Sequence, residues 1–422
     1  MAMESGSSKK TPYLIGFVIG VLVCMMIAMG FINYIGIKRF LRSAASAENA
    51  SSASEAASSS SADTVIDDEI LKKIKIVENA INENYYKTDI DRDAEAVSIY
   101  KGIVSSLGDP YSEYYTQEEY QDLMSDTKGI YFGIGAYVSM DKEANLPRIT
   151  ATIPDSPAEK VGLLGNDIIY KVDDKLTQGL TLSEVVGLIR GEIGTTVKVT
   201  VFRESEGDYL DFDVVRDKVE SQTVNASMMD DEIGYIGITE FDSVTTNQFI
   251  NGLQELKDKN MKGLIIDLRS NPGGSLSAVC DIAEQLLPEG VIVYTVDRDG
   301  NREDFTCDGA NEIDIPVVVL VNGYSASASE ILSGAIKDYK KGTIVGETTY
   351  GKGVVQRIFP FEDGTAVKLT ISNYFTPNGN NINGIGIEPD VEIELDTEAL
   401  SKDGTDNQVN KAKEILRKEI KK

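Results

Sequence analysis

The chain has 422 residues, 41% of them hydrophobic, with 41 Lys and Arg against 68 Asp and Glu for a formal net charge of −27. That length exceeds one ordinary core and suggests two to three domains. So acidic a chain, with no basic face in its pattern, excludes nucleic acid as a partner, and the absence of histidine removes the usual general base of hydrolases.

Residues 13–37 run almost without charge, about 25 positions, long enough to cross a bilayer as a helix and longer than the roughly 7–15 apolar residues of a secretory signal. The expectation for residues 1–42 is a cytosolic tip and an uncleaved, single-pass transmembrane anchor. Lys9 and Lys10 before the run and Lys38, Arg39 and Arg42 after it leave its orientation open. Residues 43–64 are mostly Ser and Ala and read as a linker that tethers the folded body after it near the membrane. Residues 65–125 form an N-terminal helical segment: Ile66, Ile70, Ile74, Val77 and Ile81 recur at steps of three and four, and a second run covers 96–107 before Gly108, Asp109 and Pro110 break it. This helical pair has little core of its own and must pack on the rest of the chain or on a second copy, so a homodimer contact is expected here.

Residues 126–218 change texture, with short strands over 149–153, 168–172, 197–203 and 211–215 and one helix over 181–190. Read blandly, this is a set of hairpins with turn glycines. The run Ser156, Pro157, Ala158, Glu159, Lys160, Val161, Gly162, Leu163, followed by Gly165, Asn166, Asp167 and Ile168, resembles a PDZ domain. In that family a glycine-bearing loop presents backbone N–H groups to a peptide's terminal carboxylate while the peptide adds as a strand. Phe132, Gly133, Ile134 and Gly135 match that loop. Arg190 has three readings: a partner for a substrate carboxylate, a coupling of the module to the rest of the chain, or a solvated helix end.

Over 219–396, strands alternate with helices: strands at 233–238, 263–268, 291–296, 316–321 and 343–346, helices at 247–260, 275–287 and 329–340. That order gives an α/β domain. The strand at 316–321 is apolar on both faces and must be covered on both sides. Residues 397–422 end in a charged helix over 407–421, read as a solvated surface helix. Cys24 lies in the apolar run, Cys280 and Cys307 are expected as buried free thiols rather than a disulfide, and no cysteine pair has zinc spacing.

Without histidine, a serine nucleophile must be activated by lysine or a carboxylate. Ser327 follows a buried strand and opens a helix, where N–H groups stabilise developing negative charge; a helix cap is the plain alternative for such a Ser/Ala turn. Lys352 lies 25 positions on, in a Gly-Lys-Gly turn, and Val354 and Gln356 share its face along an extended chain, so Gln356 can orient the amine. A lysine pKa near 10.4 leaves roughly 1 in 2,500 side chains neutral at pH 7, so a lysine base needs burial to reach about 7–8, a shift of about 3–4 kcal/mol. Three imitations fail. Gly323 to Ser327 lacks the last glycine of a nucleophile elbow that would nominate Ser325. Gly346, Gly351 and Lys352 copy part of a phosphate loop, yet Gly353 stands where Ser or Thr should hold magnesium. Ser98 with Lys101 and Ser125 with Lys128 are Ser-x-x-Lys pairs with no companion motif.

Asp267 to Gly274 (Asp-Leu-Arg-Ser-Asn-Pro-Gly-Gly) puts two glycines at a helix start, where bare N–H groups suit an oxyanion hole. Together with Leu107 to Tyr114 (Leu-Gly-Asp-Pro-Tyr-Ser-Glu-Tyr), the PDZ landmarks, Ser325 to Glu330, Gly351 to Gln356 and Gly386 to Asp390 (Gly-Ile-Glu-Pro-Asp), it closely resembles the carboxy-terminal processing (tail-specific) serine peptidases over residues 67–394. The resemblance implies an α/β serine peptidase domain of the ClpP/crotonase-like type, with Ser327 as nucleophile, Lys352 as base, Gln356 positioning it, and the N–H groups of Ala328 and Gly273 or Gly274 as oxyanion donors. It also implies export, placing the catalytic domain outside the cytoplasm at the cell membrane.

The reading is a multidomain α/β protein: a membrane-anchored serine endopeptidase that captures exposed C-termini of protein or peptide substrates through its PDZ domain and forms an acyl-enzyme. It uses no metal and no cofactor. The competing reading is a catalytically silent PDZ scaffold that binds protein C-termini.

Overall fold

Valine and isoleucine runs too apolar for an exposed face organise the structure, a computed structural model that describes residues 66–141, 145–229 and 232–421. Among the described residues a six-stranded sheet runs in the order Val224–Met228, Ile233–Ile238, Gly263–Asp267, Val317–Val321, Gly342–Gly346 and Val391–Glu392. Its first pair is antiparallel and the others parallel. Strands Gly263–Asp267 and Val317–Val321 are buried at every position. Alternation divides them between two cores: Val317, Val319 and Val321 pack with helices Thr245–Asp258, Leu276–Ala283 and Ala328–Asp338, while Val318 and Leu320 pack with Ala412 and Leu416 of helix Asn407–Glu419.

That second core corrects the reading of the tail as a solvated helix. Val409, Ala412 and Leu416 stand three and four apart, and this narrow apolar stripe covers the far face of the sheet. Arg269 secures the helix by pairing with Asp406 at 2.9 Å and with Asp267 at 2.6 Å.

A second sheet, five-stranded and absent from the expected elements in most of its parts, joins Glu113–Tyr115, Ala366–Phe375, Gly290–Asp297 and Arg302–Cys307, with Val354–Pro360 also paired to Ala366–Phe375. Glu113 to Tyr115 pair with Lys368 to Ala366, which draws the segment after Pro110 onto the peptidase body. Cys280 and Cys307 are both free thiols.

Residues 130–220 form the β-rich module, entered and left through the antiparallel pair Ile130–Gly133 and Asp217–Glu220. Its six-stranded sheet has Ala136–Met140 at one edge, and Ile149, Ile169, Val185, Val197, Val199 and Val201 fill its core. Pro157–Val161 adds a short helix to the single one expected, Leu182–Ile189.

The chain divides at Ile90 and Asp91 into two units. The described part of the first, residues 66–90, holds the helix Asp68–Asn84, which carries no buried residue. In the second, Arg92–Ser105 and Gln117–Lys128 come next, so the expected helical pair is three helices with a strand between the last two. The expected transmembrane helix is corrected: among the described residues no helix is long and apolar enough to cross a membrane, and residues 13–37, where it was read, lie outside them. The helix Asp68–Asn84 has 17 residues and is studded with charge, including Asp68, Glu69, Lys72 and Lys73.

Candidate active site

Three loops leave the carboxyl ends of neighbouring parallel strands, where open α/β sheets gather their chemistry. The loop after Gly263–Asp267 carries Asn271 to Gly274, the loop after Val317–Val321 carries Ser327, and the loop after Gly342–Gly346 carries Lys352. Ser327, Lys352, Gln356 and Gly274 all line one cavity of about 450 Å³, together with Phe241, Ile331, Val354 and Tyr374.

Ser327 precedes the helix Ala328–Asp338 with φ 53° and ψ −112°, a backbone region that costs a non-glycine residue roughly 1–3 kcal/mol. Ser327 lines the cavity, and Glu330 accepts its backbone N–H at 2.8 Å in a capping-box arrangement at the start of the helix. Ser325, by contrast, is fully buried and donates to the Leu268 carbonyl at 2.8 Å. Gly273 presses against the nucleophile: a Cβ on it would stand 2.7 Å from both the Ala326 oxygen and the Ser327 Cβ. Asn271, itself fully buried, fixes that loop by donating to the Ile238 carbonyl and accepting the Gly273 N–H at 2.8 Å. The Gly273 N–H is therefore engaged, whereas those of Gly274 and Ala328 reach no acceptor among the described residues.

Glu330 ties the pieces together. The carboxylate is fully buried, and its Oε2 accepts the N–H groups of Ser327 and Lys352, both at 2.8 Å, while Oε1 accepts the Gly351 N–H and the Thr349 hydroxyl, both at 2.6 Å. Thr349 in turn exchanges bonds with Ile387, which gives the Gly386 to Asp390 motif its place. Tyr374, almost wholly buried, donates to the Lys352 carbonyl. Burial holds its phenol well above the ordinary tyrosine range, so it cannot serve as a base near neutrality.

The Lys352 amine lies 4.7 Å from the centre of the Tyr111 ring, and among the described residues no hydrogen bond joins it to Ser327. Burial pushes its ammonium below the usual lysine range, Lys368 adds to that push, and Asp109 and Glu330 oppose it. Gln356 lines the same cavity but donates its amide to the Thr370 hydroxyl at 3.2 Å. A shift in strand register between Val355 and Gln356 brings Val355 to the cavity too, so simple alternation does not hold there.

A second groove, of about 230 Å³, lies between the edge strand Ala136–Met140 and the helix Leu182–Ile189. Gly133, Ile134, Gly135 and Arg190 line it; Phe132 does not, and stands half exposed on its strand. Among the described residues neither Ile134 nor Gly135 donates its N–H to a backbone carbonyl. Gly135, at φ 79°, packs where a Cβ would fall 2.3 Å from that of Ser156. Arg190 lies over the Tyr131 ring and pairs with Asp122 at 2.9 Å, so it is held against the helix Gln117–Lys128 rather than left solvated.

Sequence reasoning missed Tyr111, Tyr374, Lys368 and Asp242. Tyr111 sat inside a quoted motif with no assigned role. Asp242 lines the active cavity with one oxygen unpartnered, its carboxyl pushed up to about 7 by burial and then by Glu240 and Asp126.

Comparison with known proteins decides the kinship. A model of peptidase family S41 matches residues 232–393, a PDZ domain model residues 148–203, and a model of the activating protease CtpB N-terminal domain residues 25–119. A carboxyl-terminal-processing protease of Synechocystis is 36% identical over 318 residues, 74% of either chain. The chain belongs to the S41 carboxyl-terminal processing proteases. Carboxy-terminal processing protease CtpA of Bacillus subtilis is likewise 36% identical, over 78% of this chain and 70% of that one. The solved photosystem II D1 C-terminal processing protease is 30% identical with a TM-score of 0.45, over 78% of this chain and 91% of its own. As a member of this family the chain is a serine peptidase with a PDZ domain and acts on proteins or peptides.

Glu330→Ala should leave several buried donors unpaired, at about 1–3 kcal/mol each. The expected outcome is a denaturation midpoint clearly below wild type together with loss of cleavage; an unchanged midpoint would show that the hub does not hold the site.

Proposed function

We propose that the protease cleaves through a Ser327–Lys352 dyad, with the substrate's C-terminus held in the PDZ groove. The observation that carries this reading is that the hydroxyl of Ser327 and the amine of Lys352 open into one cavity while their backbones hang on a single carboxylate, Glu330. A neutral Lys352 leaves the Tyr111 ring, takes the Ser327 proton as the oxygen attacks the scissile carbonyl, and returns it to the leaving amine. Water, deprotonated by the same amine, then releases the acyl group. The N–H groups of Gly274 and Ala328 are the proposed oxyanion donors, because the Gly273 N–H is already spent on Asn271. Gln356 is proposed to turn from Thr370 to steady the amine.

In the groove, the N–H groups of Ile134 and Gly135 are proposed to receive the substrate carboxylate, with the peptide adding as a strand along Ala136–Met140.

Ser327→Ala and Lys352→Ala should each lower cleavage of a denatured protein on the order of 10⁴-fold, while a chelator leaves it unchanged. Wild-type turnover by the Lys352→Ala protein would refute the dyad. In calorimetric titration, a peptide with a free carboxylate should bind the Ser327→Ala chain far more tightly than its amidated twin; equal affinities would remove carboxylate capture from the account.

A further inference from the structure

The Leu107 to Tyr114 motif pairs through Glu113 and Tyr114 with the strand Ala366–Phe375 and brings the Tyr111 ring to 4.7 Å from the Lys352 amine, yet neither takes part in the proton transfer between Ser327 and Lys352. Lys368 lines that cavity with Lys352 and is the other cation among its walls. It is anchored: its ammonium donates to the Tyr115 hydroxyl, lies 3.9 Å from the Glu113 carboxylate, and faces the Tyr115 ring. Tyr115 donates to Glu113 at 2.8 Å, completing the clasp, and the register pairing of Glu113 with Lys368 fixes it through the backbone. A lysine so held does not swing away from a second lysine to relieve repulsion.

The remaining groups around Lys352 favour its charged form. Asp109 and Tyr111 face it from the segment before Glu113, Glu330 from the helix Ala328–Asp338, and Tyr374 from its own strand, with Tyr350 beside Tyr111. Asp126 from Gln117–Lys128 and Glu240 and Asp242 beyond Ile233–Ile238 also line the cavity. Among the charged groups of the described residues around it, Lys368 is the one that opposes the ammonium.

Resting on the dyad reading, we propose that Lys368 is a positioning residue of the reaction: a clasped ammonium whose repulsion keeps the Lys352 amine free to accept the Ser327 proton. The clasp residues Glu113 and Tyr115 then belong to the active site at one remove, which gives the Leu107 to Tyr114 motif and its flank a chemical task. The downward push on the Lys352 ammonium, burial first and Lys368 second, agrees in direction.

The test is the rate at which a fluorophosphonate labels Ser327 in the full chain, measured across pH. Labelling of wild type should rise with pH as Lys352 loses its proton. In Lys368→Met the midpoint should move upward by about one pH unit, a roughly tenfold loss below the wild-type midpoint, with the high-pH plateau retained. Lys368→Arg should restore the wild-type midpoint. A methionine variant slowed equally at every pH, with its midpoint unmoved, would reduce Lys368 to a structural residue and overturn the proposal. Lys368→Gln carries the same test if melting shows the methionine protein to be unfolded. Lys352→Ala separates the two readings: if it labels as fast as wild type the dyad itself fails, whereas an inert Lys352→Ala beside an unmoved Lys368→Met midpoint removes the Lys368 proposal alone.

Discussion

One buried carboxylate holds the active site in shape. Glu330 accepts four donors, and two of them are the backbone N–H groups of the residues whose side chains open into the cavity, Ser327 and Lys352. Without that acceptor the turn from Thr349 to Lys352 would present bare N–H groups to a dry interior, a cost that only water or unfolding could relieve. The sheet supplies the rest of the constraint. Three parallel strands end side by side, and the serine's strained backbone is held because Gly273 lies in contact with it and because Glu330 fastens it from below.

The groove and the cavity share structure. Arg190 at the groove's end pairs with Asp122, and the same helix Gln117–Lys128 sends Leu123, Asp126 and Thr127 into the cavity wall. Glu240 borders both spaces. The helix thus lines the cavity directly and meets the groove only through Arg190, so a displacement of it would move the cavity wall and Arg190 together.

Much of this was legible because burial writes itself in period two. The run at Val317–Val321 is apolar at every position, and the structure covers it on both sides. The absence of histidine pointed to a lysine or carboxylate base, and the motif resemblance to the tail-specific peptidases is what singled out Ser327 and Lys352. What stayed hidden depends on long-range contact. The strand Ala366–Phe375 is half-buried along most of its length and interleaves Lys368, Thr370 and Ser372 with apolar residues, so its pattern does not advertise a strand that reaches the site. The partnership of Lys368 with Glu113 spans most of the chain and leaves no local signature. The tail helix misled for the opposite reason: its many charges mask an apolar stripe of Val409, Ala412, Ile415 and Leu416, and a narrow stripe suffices to cover a sheet. The apolar run at 13–37 was read from composition alone, and no membrane-crossing helix occurs among the described residues.

The central proposal is that burial keeps the Lys352 amine below the usual lysine range so that it can take the Ser327 proton. NMR titration of lysine side chains in chain labelled with carbon-13 at the ε position, with Lys352→Ala assigning the resonance, reads this directly. The account predicts that Lys352 titrates well below the surface lysines, which should cluster near a pKa of about 10.4. A Lys352 resonance that titrates together with them would contradict it.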